Sequence, residues 1–113
     1  MLFQIKQYDD KSAMKTILES NGEPVDLDLV SEVRFLMKSG RKLLIDKPVF
    51  YVQDELGTVW FPFEVSETSK AGKFQGEFVL YFKDARRETF PNVGTITISI
   101  EASNIALKMT EGV

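Results

Sequence analysis

A chain of 113 residues suffices for one domain with a single core and is too short for two. It has neither cysteine nor histidine, which excludes a disulfide framework, zinc–thiolate sites and the usual general base. With 14 basic and 17 acidic side chains the net charge is −3, whereas sequence-independent nucleic-acid binding needs a clustered positive field.

The opening residues, Met1-Leu2-Phe3-Gln4-Ile5-Lys6, lack the organisation of a signal peptide. No apolar run approaches the roughly 18 residues of a membrane span, so folding in the cytoplasm is expected. Turn signals then recur at short intervals: Asn21-Gly22-Glu23-Pro24, Ser39-Gly40, Gly57, Ala71-Gly72, Asp84-Ala85 and Pro91-Asn92-Val93-Gly94. The segments between them predict strands over residues 2–8, 14–19, 30–38, 43–52, 58–63, 73–82 and 95–101, with a short extended piece at 88–90.

Alternation is clearest towards the end. Phe74, Gly76, Phe78, Leu80 and Phe82 share one face, and Ile96, Ile98 and Ile100 do the same in the last strand. Two segments also fit a helical stripe, namely Ala13, Met14, Ile17 and Leu18, and Leu29, Val30, Val33 and Met37. Pro48 and Pro62 lie in strand-like runs, where each marks an edge, a bulge or a strand end. Asp84-Ala85 occupies a tight turn that favours Asp-Gly, and alanine at positive φ costs about 1 kcal/mol relative to glycine. A longer turn through Arg86 would avoid that strain. After Glu101 the alternation stops. Residues 1–101 are therefore read as one β-sandwich or barrel domain, and 102–113 as a linker, a frayed end or a short partner-binding segment.

Residues for chemistry are scarce. Ser69-Lys70 and Lys38-Ser39 lie at turns, where a desolvated serine–lysine pair is not expected. Carboxylates such as Asp54, Glu55, Glu64, Glu67 and Glu77 have no evident working spacing for glycoside hydrolysis. Asp9-Asp10 and Asp26-Leu27-Asp28 are dense acidic pairs, and neither resembles a calcium loop. The seven glycines are scattered, with no phosphate-binding run. Lys38, Arg41 and Lys42, and Arg86-Arg87, read as solvated turns. The expectation is a protein that is not an enzyme and takes no cofactor.

Aromatic residues make up 12% of the chain, and most are expected in the core. If Val59, Phe61 and Phe63 point inward, Trp60 points outward. Val79 and Tyr81 do so in the strand after it. Were those strands hairpin neighbours, Trp60, Val79 and Tyr81 would form one exposed interaction patch.

Several series carry a family likeness. They are Asn21-Gly22-Glu23-Pro24-Val25-Asp26-Leu27, Val33-Arg34-Phe35-Leu36-Met37-Lys38, Ile45-Asp46-Lys47-Pro48 and Gly57-Thr58-Val59-Trp60-Phe61. Ala71-Gly72-Lys73-Phe74, Glu77-Phe78 and Arg87-Glu88-Thr89-Phe90-Pro91-Asn92 follow in order. Together, from Met14 to Glu101, they resemble the N-terminal domain of phage baseplate upper proteins, found in tailed phages and prophages of Gram-positive bacteria.

The resemblance implies an immunoglobulin-like antiparallel β-sandwich of about seven strands, without catalytic residues. It implies a virion protein of the tail or baseplate, made in the cytoplasm of the host bacterium. Its expected partners are other tail and baseplate proteins, copies of itself included, and neither nucleic acid nor membrane. Family members have Asp-Gly where this chain has Asp84-Ala85, and they continue well past this domain. The chain is accordingly expected to be a small stand-alone protein or a fragment. A second expectation, from the residues, is a carbohydrate-binding module that holds host polysaccharide on Trp60, Tyr81 and Tyr51.

Overall fold

The computed structural model describes residues 1–52 and 55–110. The described residues form two sheets packed face to face. In chain order the strands are β1 (Leu2–Lys6), β2 (Ala13–Ile17), β3 (Glu19–Ser20), β4 (Glu23–Pro24), β5 (Val30–Ser39) and β6 (Lys42–Pro48). They continue as β7 (Phe50–Tyr51), β8 (Thr58–Pro62), β9 (Gly72–Phe82), β10 (Arg87–Phe90) and β11 (Ile96–Glu101), and a short helix, α1 (Ile105–Thr110), closes the described chain.

The large sheet has the order β1-β11-β9-β5-β6, and β10 also pairs with β9. The small sheet has the order β2-β8-β7, and β3-β4 is a separate two-residue ladder. With β2, β8 and β7 on one side and β5, β9 and β11 on the other, this is the strand order of an immunoglobulin-like sandwich. Pairing is antiparallel with one exception: β1 runs parallel to β11, with Leu2 opposite Thr97 and Lys6 opposite Glu101. The expected wholly antiparallel sandwich is corrected on that point, and the first strand lies on the large sheet.

Strand β9 organises the large sheet. Its 11 residues pair with β5 along one edge and share the other edge between β10 and β11. The alternation read from the sequence is the inward face. Phe74, Phe78, Leu80, Ile96, Ile98 and Ile100 are all buried. Phe35 of β5 is fully buried and meets Phe61 of β8 at 4.6 Å between ring centroids and Phe78 of β9 at 5.1 Å, which joins the two sheets. Such tilted aromatic pairs add about 0.5–1.5 kcal/mol each beyond the area they bury.

Both ambiguous segments are strands. Met14 and Thr16 are buried while Ala13, Lys15 and Ile17 are exposed, a period of two that a helix would not give. The helical hint before β5 is a single 3-10 turn over Leu27–Leu29, started by Asp26, whose Oδ1 accepts from the Asp28 amide at 3.0 Å. The run 43–52 is not one strand. It breaks after Pro48, where the Val49 amide donates to Val33 O at 3.0 Å, and Phe50–Tyr51 then joins the other sheet. Pro48 and Pro62 each end a strand, where a missing N–H costs no ladder bond.

The Asp84-Ala85 turn keeps its strain. Ala85 has φ 71°, and the turn is closed by Ala85 N–H donating to Phe82 O at 3.0 Å and Phe82 N–H to Arg86 O at 2.9 Å. Routing through Arg86 does not relieve the alanine.

Candidate interaction surfaces

The structure does not bring Trp60, Val79 and Tyr81 together. Trp60 is on β8, which pairs with β2 and β7, whereas Val79 and Tyr81 are on β9, which pairs with β5, β10 and β11. Each points outward as the alternation requires. Outward residues of two sheets packed face to face point in opposite directions, so the expected single patch is corrected to two separate surfaces. Val79 is also buried, set in the ladder between Arg34 of β5 and Thr89 of β10. Tyr81 is 36% exposed and stands between Glu32 and Arg87.

The outer face of the large sheet is mostly polar, with Leu2, Val79 and Tyr81 among its apolar members. Gln4, Lys6, Thr97, Lys73, Gln75 and Glu77 alternate there with the buried set. At its centre the Arg34 guanidinium donates from Nε to Asp46 Oδ1 at 2.6 Å and from Nη1 to Glu32 Oε2 at 3.0 Å. The hydrogen bond to Asp46 is the main cause of an Arg34 pKa raised above its ordinary value; desolvation opposes it, and the weaker hydrogen bond to Glu32 adds to the rise.

The outer face of the small sheet is different. One row across it places Lys15 of β2, Trp60 of β8 and Phe50 of β7 side by side. Directly opposed residues on neighbouring strands have Cβ atoms about 5 Å apart, so the indole and the phenyl ring form one apolar surface. Phe50 is 69% exposed, the most of any aromatic residue here. Exposed Ile17, Val52 and Pro62 surround the pair. The Lys15 ammonium lies 5.5 Å from the Trp60 ring centroid and 4.0 Å from Glu55 Oε1, a cation–π contact at the edge of this face.

Phe50 is the residue that sequence reasoning missed. Its signal was present, since Val49 and Tyr51 facing inward leave Phe50 facing outward. Tyr51 is part-buried against the core, Trp60 faces out from the small sheet and Tyr81 from the large one. These three do not make a common sugar platform.

Two of the other candidate groups have structural partners. Asp26 caps the 3-10 turn, and Ser69 Oγ donates to Ser66 O at 3.0 Å beside Lys70. Among the described residues no three His, Cys, Asp or Glu side chains come together as a metal site. No helix there is long and apolar enough to cross a membrane. Lys47 Nζ bridges Glu67 Oε2 at 2.7 Å and Glu64 Oε1 at 3.3 Å. The Glu67 hydrogen bond is the main cause of a Lys47 pKa raised above the ordinary lysine value. No protein-family model and no curated protein matches the chain.

Proposed function

We propose that the chain is a structural docking module of a tailed phage or prophage, joined to other tail-tip or baseplate proteins by protein–protein contact. The observation that carries this reading is the outward Phe50–Trp60 pair on the small sheet. An exposed apolar surface built on rigid strands and rimmed by charge is the usual form of an interface centre. The strand order fits the immunoglobulin-like domain that the family likeness implies. The occupant of this face is a neighbouring tail protein, and repeated copies on a symmetric assembly let a modest surface per subunit hold by avidity.

The test is co-purification with the neighbouring tail proteins, using Trp60→Ala, Phe50→Ser and Tyr81→Ala variants. Loss of an anchor at the centre of an interface costs about 2 kcal/mol or more, roughly 30-fold in affinity. Trp60→Ala and Phe50→Ser are expected to lose co-assembly by that factor with little change in thermal unfolding, while Tyr81→Ala retains it. Wild-type affinity in both small-sheet variants would remove the docking face.

A carbohydrate-binding reading is favoured by one observation only, the adjacency of Trp60 and Phe50 as a two-ring surface. Lys15 already lies over the indole, so a sugar ring would have to displace it. Titration with host cell-wall polysaccharide separates the two, because protein docking gives no saturable sugar signal.

A further inference from the structure

The two ends of the sandwich are unlike. Strand β5 runs from one to the other, and its ten residues at about 3.4 Å each separate them by roughly 30 Å. At the far end, the β5–β6 turn and the start of β9 gather Lys38, Arg41, Lys42, Lys70 and Lys73. All five are exposed, and none takes part in an ion pair among the described residues. Sequence spacing had shown only three of them together; the fold adds Lys70 and Lys73.

Beside this basic rim is a cleft of about 460 Å³ between β6 and the segment that leads into β9. Met37, Leu44, Ile45 and Phe74 supply its apolar lining, and Lys70, Ser66 and Ser69 its polar side. Its acidic lining residue, Glu67, is already neutralised by Lys47. The volume falls within the range of about 300–1,000 Å³ typical of clefts that receive ligands.

The opposite end presents the complement. Leu29, at the end of the 3-10 turn, is 59% exposed and is preceded by the exposed carboxylates of Asp26 and Asp28. Glu19 and Glu23 lie nearby on the β3–β4 ladder, which Val25 N–H donating to Leu18 O ties to β2. Three cations share this end: Lys83, whose amide donates to Leu29 O at 3.0 Å, and Arg86 and Arg87 of the β9–β10 hairpin, of which Arg86 is paired with Asp84. An exposed leucine beside carboxylates matches an apolar cleft with a lysine rim. The separation between them rules out the contact within one chain.

We propose that this protein associates head to tail with copies of itself, Leu29 entering the apolar cleft of the next copy and Asp28 meeting its Lys42 and Lys70. Such a contact is heterologous: each copy uses one end as donor and the other as acceptor, so the product is a ring or an open chain and not a two-fold dimer. The proposal rests on the two ends alone and stands or falls separately from the small-sheet docking face.

Sedimentation of the purified protein tests it. Wild type is expected to form concentration-dependent oligomers at low salt that dissociate towards 1 M salt, where the screening length is about 3 Å. A cleft variant (Lys42→Glu with Lys70→Glu) and an end variant (Asp28→Ser with Leu29→Ser) are each expected to weaken association at least tenfold, on the scale of close charge pairs at interfaces. All four positions are exposed, and unchanged circular dichroism checks the fold. Mixing the two variants is decisive. Each retains one good end, so the mixture is expected to form dimers, which neither variant forms alone. A monomeric wild type, association indifferent to either variant, or a mixture that stays monomeric would each overturn the proposal. Capture of an acidic peptide by the cleft without self-association would overturn the second copy as its occupant.

Discussion

Gly76 lies where β9 passes over the fully buried ring of Phe35. A Cβ at this position would lie 2.9 Å from Phe35 Cε1 and 3.3 Å from Ile98 Cγ1. Phe35 has no room to retreat, being fully buried against Phe61 and Phe78. Gly76→Ala is therefore expected to destabilise by about 1–3 kcal/mol, as overpacking does. In urea unfolding this shows as a lower midpoint with an unchanged slope. Ala85 presents the opposite case, a side chain where the backbone favours none. At φ 71° it bears left-handed strain that glycine would relieve, less the extra freedom glycine gives the unfolded chain. Ala85→Gly is expected to stabilise by up to about 1 kcal/mol, seen as a higher melting temperature.

Among elements, the link from β6 to the 3-10 turn at Val65–Glu67 carries the clearest electrostatic prediction. Glu67 serves two partners: its Oε1 accepts from the Glu64 amide at 2.8 Å, and its Oε2 pairs with Lys47 at 2.7 Å. Because the folded state raises the Lys47 pKa, it holds that proton more tightly than the unfolded chain does. The resulting stability is complete below the ordinary lysine value and is lost as pH rises through the folded one. Lys47 is 40% exposed along its side chain, so the pair contributes at most about 1 kcal/mol. Lys47→Met is expected to be less stable than wild type by that amount near neutral pH, and the difference should close above the lysine range. Denaturant midpoints at the two pH values check this, and a gap that widens with pH would refute it.

For the whole molecule, two sheets with unlike outer faces and two unlike ends set what the protein presents to others. The mostly polar large-sheet face, with Arg34 held between Asp46 and Glu32, offers little to an apolar partner. The small-sheet face offers Trp60 and Phe50, and the ends offer a lysine-rimmed cleft and an acidic leucine. The sequence alone determined that β9 and β11 bury one face, because alternation is carried by each strand's own side chains. It also located nearly every strand and the strained turn at Ala85, since turn chemistry is equally local. Only the tertiary structure decided which strands are neighbours. Trp60 and Tyr81 have the same outward alternation, yet the chain crosses from the small sheet to the large one between β8 and β9, so they look in opposite directions. Lys70 and Lys73 join Lys38, Arg41 and Lys42 by the same long-range pairing. A period of two fixes which way a side chain points relative to its own strand; what it points towards depends on contacts between residues far apart in the chain.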